Sequence, residues 1–165
     1  MGFLPYPSDA ELSAEAARLA ARLLEDEGEL SPVDRALLAD PAAFAAYEGW
    51  RALREELVPF LGERVVTLFC LAVASSASPL CAAEFRRAVV DGGDDPDEPQ
   101  VTEAERLVLD WGRALGRDAG AIPEELSTRL QQTFQPRLRV LLTAFAGLLL
   151  ARCAFASAGR LGPEG

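Results

Sequence analysis

Residues 65–90, VVTLFCLAVASSASPLCAAEFRRAVV, decide the fold of this chain. From Val65 to Val73 the segment is apolar on every side, so periodicity alone does not separate a buried helix from a strand. Its length and its helical neighbours predict a buried helix. Ser75 to Ser78 interrupts it, and Ser78-Pro79 opens a second helix. Ser is a favoured N-cap, and Pro suits the first helical position because no N–H is needed there. Asp91-Gly92-Gly93 ends that helix. The expectation is a helical hairpin whose turn faces a pocket, with Cys81 just inside the second helix.

The flanking sequence carries start signals of the same kind. Ser8 to Glu11 reads as a capping box that opens a helix to about Asp26. Ser31-Pro32 opens a short helix to about Ala39, and Asp40-Pro41 opens a longer one that is expected to end at Val58, before Pro59. Thr102 to Glu105 is a second capping box, for a helix to about Gly116. Further helices are expected over 123–134 and over 136–158, the last interrupted by Arg152 and stopped by Gly159. Residues 1–7, with Pro5 and Pro7, read as an extended arm. Residues 94–100, DDPDEPQ, hold no apolar side chain and read as a mobile loop. Ala and Leu dominate, and that mix favours helix over sheet. The reading is one all-α domain over 1–165, with about seven or eight helices and the two most apolar ones at its centre.

Composition excludes several kinds of chemistry. The formal charge is −10, which disfavours nucleic acid as a partner. All 16 basic residues are Arg, so there is no Lys for Schiff-base chemistry. No His is present, which removes the commonest general base and the commonest metal ligand. No metal-ligand spacing and no nucleotide- or cofactor-binding motif occurs, so neither metal nor cofactor is expected. The three Cys residues (Cys70, Cys81, Cys153) lie in apolar helical contexts without C-x-x-C and read as free thiols of a cytoplasmic protein. The longest apolar runs, 140–151 and 65–77, are about a dozen residues, so no membrane span is expected.

Few residues remain to carry function. Cys81 would be the third residue of a helix capped by Ser78, where a helix N-terminus favours thiolate; the same residue also reads as a small core hydrophobe. Glu84 could be an acid or base in an apolar pocket, or a surface charge beside Arg87. Arg152, inside an apolar helix, must pair with an acid, bind an anionic substrate group or reach solvent. Phe85, Trp50, Trp111 and Phe69 could line a pocket or fill the core.

In order along the chain, the Pro-Tyr-Pro arm, ADPAAFAAYEGWRALRE, the apolar helix leading into SPLCAAEFRRAVVDGG, VTEAERLVLDWGRAL, IPEELSTRLQQTF and the closing ASAGRLGP resemble the carboxymuconolactone decarboxylase / alkylhydroperoxidase D-like family. The resemblance implies an all-helical subunit, assembled as a trimer or hexamer, with the hairpin lining the site. In the family's peroxidase branch that site holds a Glu, a C-x-x-C and a His. Those positions fall here on Val66, on Ser78 and Cys81, and on Phe85, so only Cys81 keeps the family's identity. Two-thiol chemistry of the family's kind is therefore not expected.

Three functions follow as expectations. The first is a divergent lyase-, isomerase- or cyclase-type enzyme acting on a largely apolar organic substrate. Its polar groups would be Cys81 and Glu84, and Val66, Ser78, Phe85 and Arg152 would form its substrate wall. The second is a non-catalytic homo-oligomeric binding or assembly protein. The third is a one-Cys thiol peroxidase, which requires an exposed Cys81.

Overall fold

The computed structural model describes residues 3–161. Met1, Gly2 and residues 162–165, and with them the ends of the arm and of the closing segment, lie outside the described residues. Among the described residues nine α-helices follow one another: α1 (Ala14–Glu27), α2 (Pro32–Leu37), α3 (Pro41–Tyr47), α4 (Gly49–Leu61), α5 (Glu63–Ala77), α6 (Pro79–Asp91), α7 (Glu103–Asp118), α8 (Glu124–Thr133) and α9 (Pro136–Ala158). The protein is all-α, and five of these helices start on side-chain caps. Ser13, Ser31, Asp40, Ser78 and Thr102 each accept from a backbone N–H in the first turn. Each such cap satisfies a donor that the helix itself leaves free.

Several boundaries differ from the sequence expectation, each for a local reason. The Ser8 capping box serves only a single 3-10 turn, Asp9–Glu11, because Leu12 and Ser13 return to extended backbone and Ser13 caps α1 afresh. The expected helix over 41–58 is divided at Glu48, and its second half runs through Pro59 to Leu61. Pro59 falls in the last turn, and Gly62, at φ +80°, provides the stop. The serine-rich break is shorter than expected. Helix α5 absorbs Ser75, whose hydroxyl donates to the Leu71 carbonyl at 2.6 Å, and only Ser78, at φ −157°, leaves the helix.

Helix α5 is the centre of the molecule. Its run from Val65 to Ala74 is buried except Thr67, and α4, α6, α7 and α9 pack around it. Helix α7 approaches especially closely. A Cβ on Gly116 would stand 2.1 Å from the Val73 carbonyl oxygen, and one on Gly112 would stand 2.8 Å from the Phe69 ring. A chain of rings crosses the core from α5 to α6: Phe69 to Phe145 (6.2 Å), Phe145 to Trp50 (6.3 Å) and Trp50 to Phe85 (6.4 Å). Their spacings are those of favourable aromatic pairs.

Two further expectations change. By length and composition α9 is a helix that could cross a membrane, longer than its apolar run suggested. One side of it, from Leu138 through Arg152 to Ala156, is buried against the other helices as a core helix would be. The acidic loop is anchored. Arg64 donates to Asp94 at 2.6 and 2.8 Å and to the Gln100 carbonyl at 2.6 Å, while Arg86 pairs with Asp97. Asp95 accepts from the N–H groups of Asp97 and Glu98. The arm is also held: Pro7 is buried, and its carbonyl accepts from Arg35 at 3.1 Å.

Candidate functional site

A cavity of about 630 Å³ opens between the end of α1, the start of α2, and helices α4, α5 and α6. Trp50, Arg51, Cys70, Glu84, Phe85 and Ala88 form its inner wall. Its mouth is acidic, with Asp26, Glu27, Glu29, Glu55, Glu63 and Asp91 set against Arg51, Arg54 and Arg87. The positions follow from helical spacing: Glu84, Phe85 and Ala88 recur three and four residues apart on one face of α6. Glu63, three residues before Val66 in the first turn of α5, lies at the exposed mouth and pairs with Arg54.

Beneath this wall lies a buried polar cluster. Asp34 sits at the third position of α2, where Ser31 caps its N–H, and its side chain turns into the core. Its Oδ1 accepts from Arg152 Nη1 at 2.8 Å; its Oδ2 accepts from Ser31 Oγ at 2.6 Å and from Arg51 Nη2 at 3.2 Å. Arg152 Nη2 also donates to Ser31 Oγ at 2.7 Å and to Glu84 Oε1 at 3.1 Å. Arg51 completes the cluster through Glu27, at 2.5 Å, and Glu48. Both guanidinium groups lie over Trp50, Arg51 at 4.9 Å and Arg152 at 5.3 Å from the ring centroid.

The two acids of this cluster titrate in opposite directions. Burial would raise Asp34, but the charges and hydrogen bonds of Arg152 and Arg51 and the Ser31 hydroxyl outweigh it and hold the carboxyl below its ordinary range. For Glu84 burial wins. Arg152 pulls its pKa down, Asp34 and Glu27 push it up, and the net effect is a raised value. Glu84 Oε2 is shielded from solvent and has no hydrogen-bond partner, and the same holds for Trp50 Nε1. A cavity-wall carboxyl with a raised pKa is suited to proton transfer once its side chain turns to bring the unpaired Oε2 to a bound molecule.

The sequence candidates therefore separate. Glu84 and Phe85 line the cavity. Arg152 lies behind it, 1% exposed, and its charge is taken up by Asp34 and Glu84. Ser78 is buried and accepts from the Cys81 N–H, so its role is that of an N-cap. Val66 is packed in the core. Cys81 is fully buried and does not line the cavity, which leaves the one-Cys peroxidase without the exposed thiol it requires. Cys70 does reach the wall, but burial pushes its thiol up to about 12. Arg87 pairs with Glu29, so Glu84 is not its surface partner.

Sequence reasoning missed Asp34 and Ser31 as partners of Arg152, and Arg51 as the second cation. The only signal was an acid at the third position after a Ser-Pro cap, which ordinarily marks a solvated capping residue.

No family model and no curated protein matches the sequence. A structural match is clear. The crystal structure of an alkylhydroperoxidase AhpD core, an uncharacterized peroxidase-related protein from Ralstonia eutropha JMP134, superposes with a TM-score of 0.69. The match covers 98% of this chain and 92% of that one, at 15% sequence identity. The chain has the alkylhydroperoxidase D fold. At this identity the likeness speaks for the fold alone. Within that alkylhydroperoxidase D scaffold the hairpin α5–α6 forms one side of the cavity, and Glu84 is the acid it contributes to the inner wall.

Proposed function

We propose that this chain is a small-molecule enzyme of lyase or isomerase type, in which Glu84 moves a proton to or from an organic substrate held against the wall that Trp50 and Phe85 form. The observation that carries the reading is Glu84 itself: a cavity-lining carboxyl with a raised pKa, one oxygen fixed by Arg152 and the other unpaired. Arg152 would orient the carboxyl, and the aromatic wall would receive the apolar body of the substrate. The acidic mouth favours a neutral or cationic molecule over an anion.

Protein-observed NMR during titration with neutral and cationic aromatic fragments tests the binding half. Signals from Trp50 and Phe85 should shift, and Phe85→Ala should weaken the effect. With a turnover substrate in hand, Glu84→Gln should lower kcat by about 10²–10⁴-fold, the usual contribution of a general acid or base. Undiminished turnover in Glu84→Gln would remove the proposal.

A second reading, a non-catalytic homo-oligomeric binding or assembly protein, has its own support. Val140, Ala144, Gly147, Ala151 and Ala154 are all exposed and follow one another along α9 at spacings of four and three. Such a stripe suits close helix–helix packing between copies. Light scattering on the protein and on Gly147→Glu tests it. A wild-type monomer at micromolar concentration would exclude that assembly.

A further inference from the structure

A second cavity, a cleft of about 650 Å³, lies between α7, α8 and α9 and shares no helix with the Glu84 cavity. Its shape has a local origin. Phe134 and Gln135 join α8 to α9 as two extended residues, and within α8 only Leu130 is buried. With so little of α8 embedded, a cleft stays open beside α9. Ser127, Leu130 and Gln131 turn one face of α8 to it, and Pro136, Arg139, Val140 and Thr143 turn one face of α9. Those spacings of three and four are what one helix face presents. Half-buried Trp111 comes from α7.

The charge of this cleft is the reverse of the chain's. Acids outnumber bases 26 to 16 in the sequence, yet no acid lines the cleft, and its one charged lining residue is Arg139. Arg113, Arg129 and Arg137, on the same three helices, pair with Asp110, Glu103 and Glu56. Among the described residues no carboxylate pairs with Arg139, and its Nε is shielded from solvent without a hydrogen-bond partner. Its Nη1 and Nη2 are not so shielded. Two such donors on one planar group match the two oxygens of a carboxylate.

We propose that the cleft between α7, α8 and α9 binds a small organic carboxylate, its acid group on Arg139 and its apolar body against Trp111, Leu130 and Val140.

A largely apolar concavity of this size with few polar groups is the usual form of a small-molecule site. One cation, in a chain of formal charge −10, favours a monoanion over a more highly charged ligand. A second copy is the competing occupant, because Val140 and Ala144 also belong to the exposed stripe on α9. Across a two-fold axis the same patch meets itself. That contact would set one acid-free cleft, with its Arg139, against another and leave both charges unpaired. The carboxylate supplies the missing charge. The Glu84 chemistry is not needed for this site.

The test is protein-observed NMR on the full chain, titrated with 2-naphthoate and, separately, with its neutral counterpart 2-naphthamide. 2-Naphthoate should shift the Trp111 indole N–H signal, identified by its loss in Trp111→Phe, and leave the Trp50 signal in place. The amide should bind about tenfold more weakly or worse, the worth of a hydrogen bond to a charged group. Arg139→Met should bring 2-naphthoate down to the level of the amide, whereas Glu84→Gln should leave the titration unchanged, so this site and the Glu84 reading fail separately. If the Arg139 variant does not fold, the wild-type comparison of acid with amide still decides. Equal affinity for acid and amide, a response at Trp50 with Trp111 unmoved, or full binding by Arg139→Met would each overturn the proposal. So would the absence of a saturable shift at millimolar 2-naphthoate, and a dimer by light scattering in that sample would give the cleft to a second copy instead.

Discussion

Arg152 Nη1 donates to Asp34 Oδ1 at 2.8 Å, and the two side chains are 1% and 2% exposed. This pair joins α2 to α9 inside the core and supports the carboxyl of Glu84 from behind. Taking two charges out of water is costly, and only mutual attraction with further hydrogen bonds offsets it. Here Ser31, Arg51 and Glu84 supply those bonds.

Removing one member strands the other. Asp34→Ala should destabilise the fold by about 3–5 kcal/mol, the range for breaking a buried ion pair. Arg152→Met should cost less, because Asp34 keeps Arg51 and Ser31. Urea unfolding of both variants checks the order. An Asp34→Ala variant as stable as wild type would show that the pair does not support the fold.

Glu84 should leave a signature in stability against pH. Its folded pKa is raised, so the folded state binds the proton more tightly than the unfolded chain. The group's contribution is then full below its ordinary value of 4.5 and is lost as pH rises through the raised folded value. Asp34 does the reverse: its contribution is present above its ordinary value of 3.8 and is lost as pH falls through the depressed one. Chemical denaturation of wild type and Glu84→Gln between pH 4 and 8 should therefore diverge, with the variant lacking the decline above 4.5. Parallel curves would place no raised carboxyl at Glu84.

Gly116 and Gly112 should respond unequally to a methyl group. Ala favours a helix by about 1 kcal/mol over Gly, so an open site would gain stability. At Gly116 the added Cβ meets the Val73 backbone oxygen at 2.1 Å, which forces α5 and α7 apart. Overpacking of that kind costs typically about 1–3 kcal/mol or more. At Gly112 the obstacle is the Phe69 ring, which can turn. Thermal melts should show Gly116→Ala losing clearly more than Gly112→Ala.

The acidic loop offers a local rather than a global effect. Arg64→Ala removes the bonds to Asp94 and to the Gln100 carbonyl, yet an exposed ion pair contributes only about 0–1 kcal/mol. The melting temperature should barely move, while hydrogen exchange and protease cleavage over 94–100 should increase several-fold. Unchanged protection of the loop would mean that Arg86 and the Asp95 turn hold it without Arg64.

The helices were legible because their signals are local. Ser31-Pro32, Asp40-Pro41, Ser78-Pro79 and Thr102 to Glu105 each satisfy backbone donors within one turn, and the structure uses all four. The misjudged boundaries, at Ser13, Glu48 and Ser75, are places where two local devices compete and packing chooses between them.

What the sequence determined by itself is the all-α fold, the central hairpin and a short list of polar residues inside apolar helices. Periodicity and capping suffice for these because they act over three or four residues. Only the tertiary structure decided which of those residues meet. It brought Arg152 to Asp34 across 118 positions and turned Glu84 inward to a cavity while Cys81 stayed behind its wall. No local pattern encodes such contacts, since they arise from how whole helices pack. The chemistry of this chain therefore rests on pairings that helix packing makes.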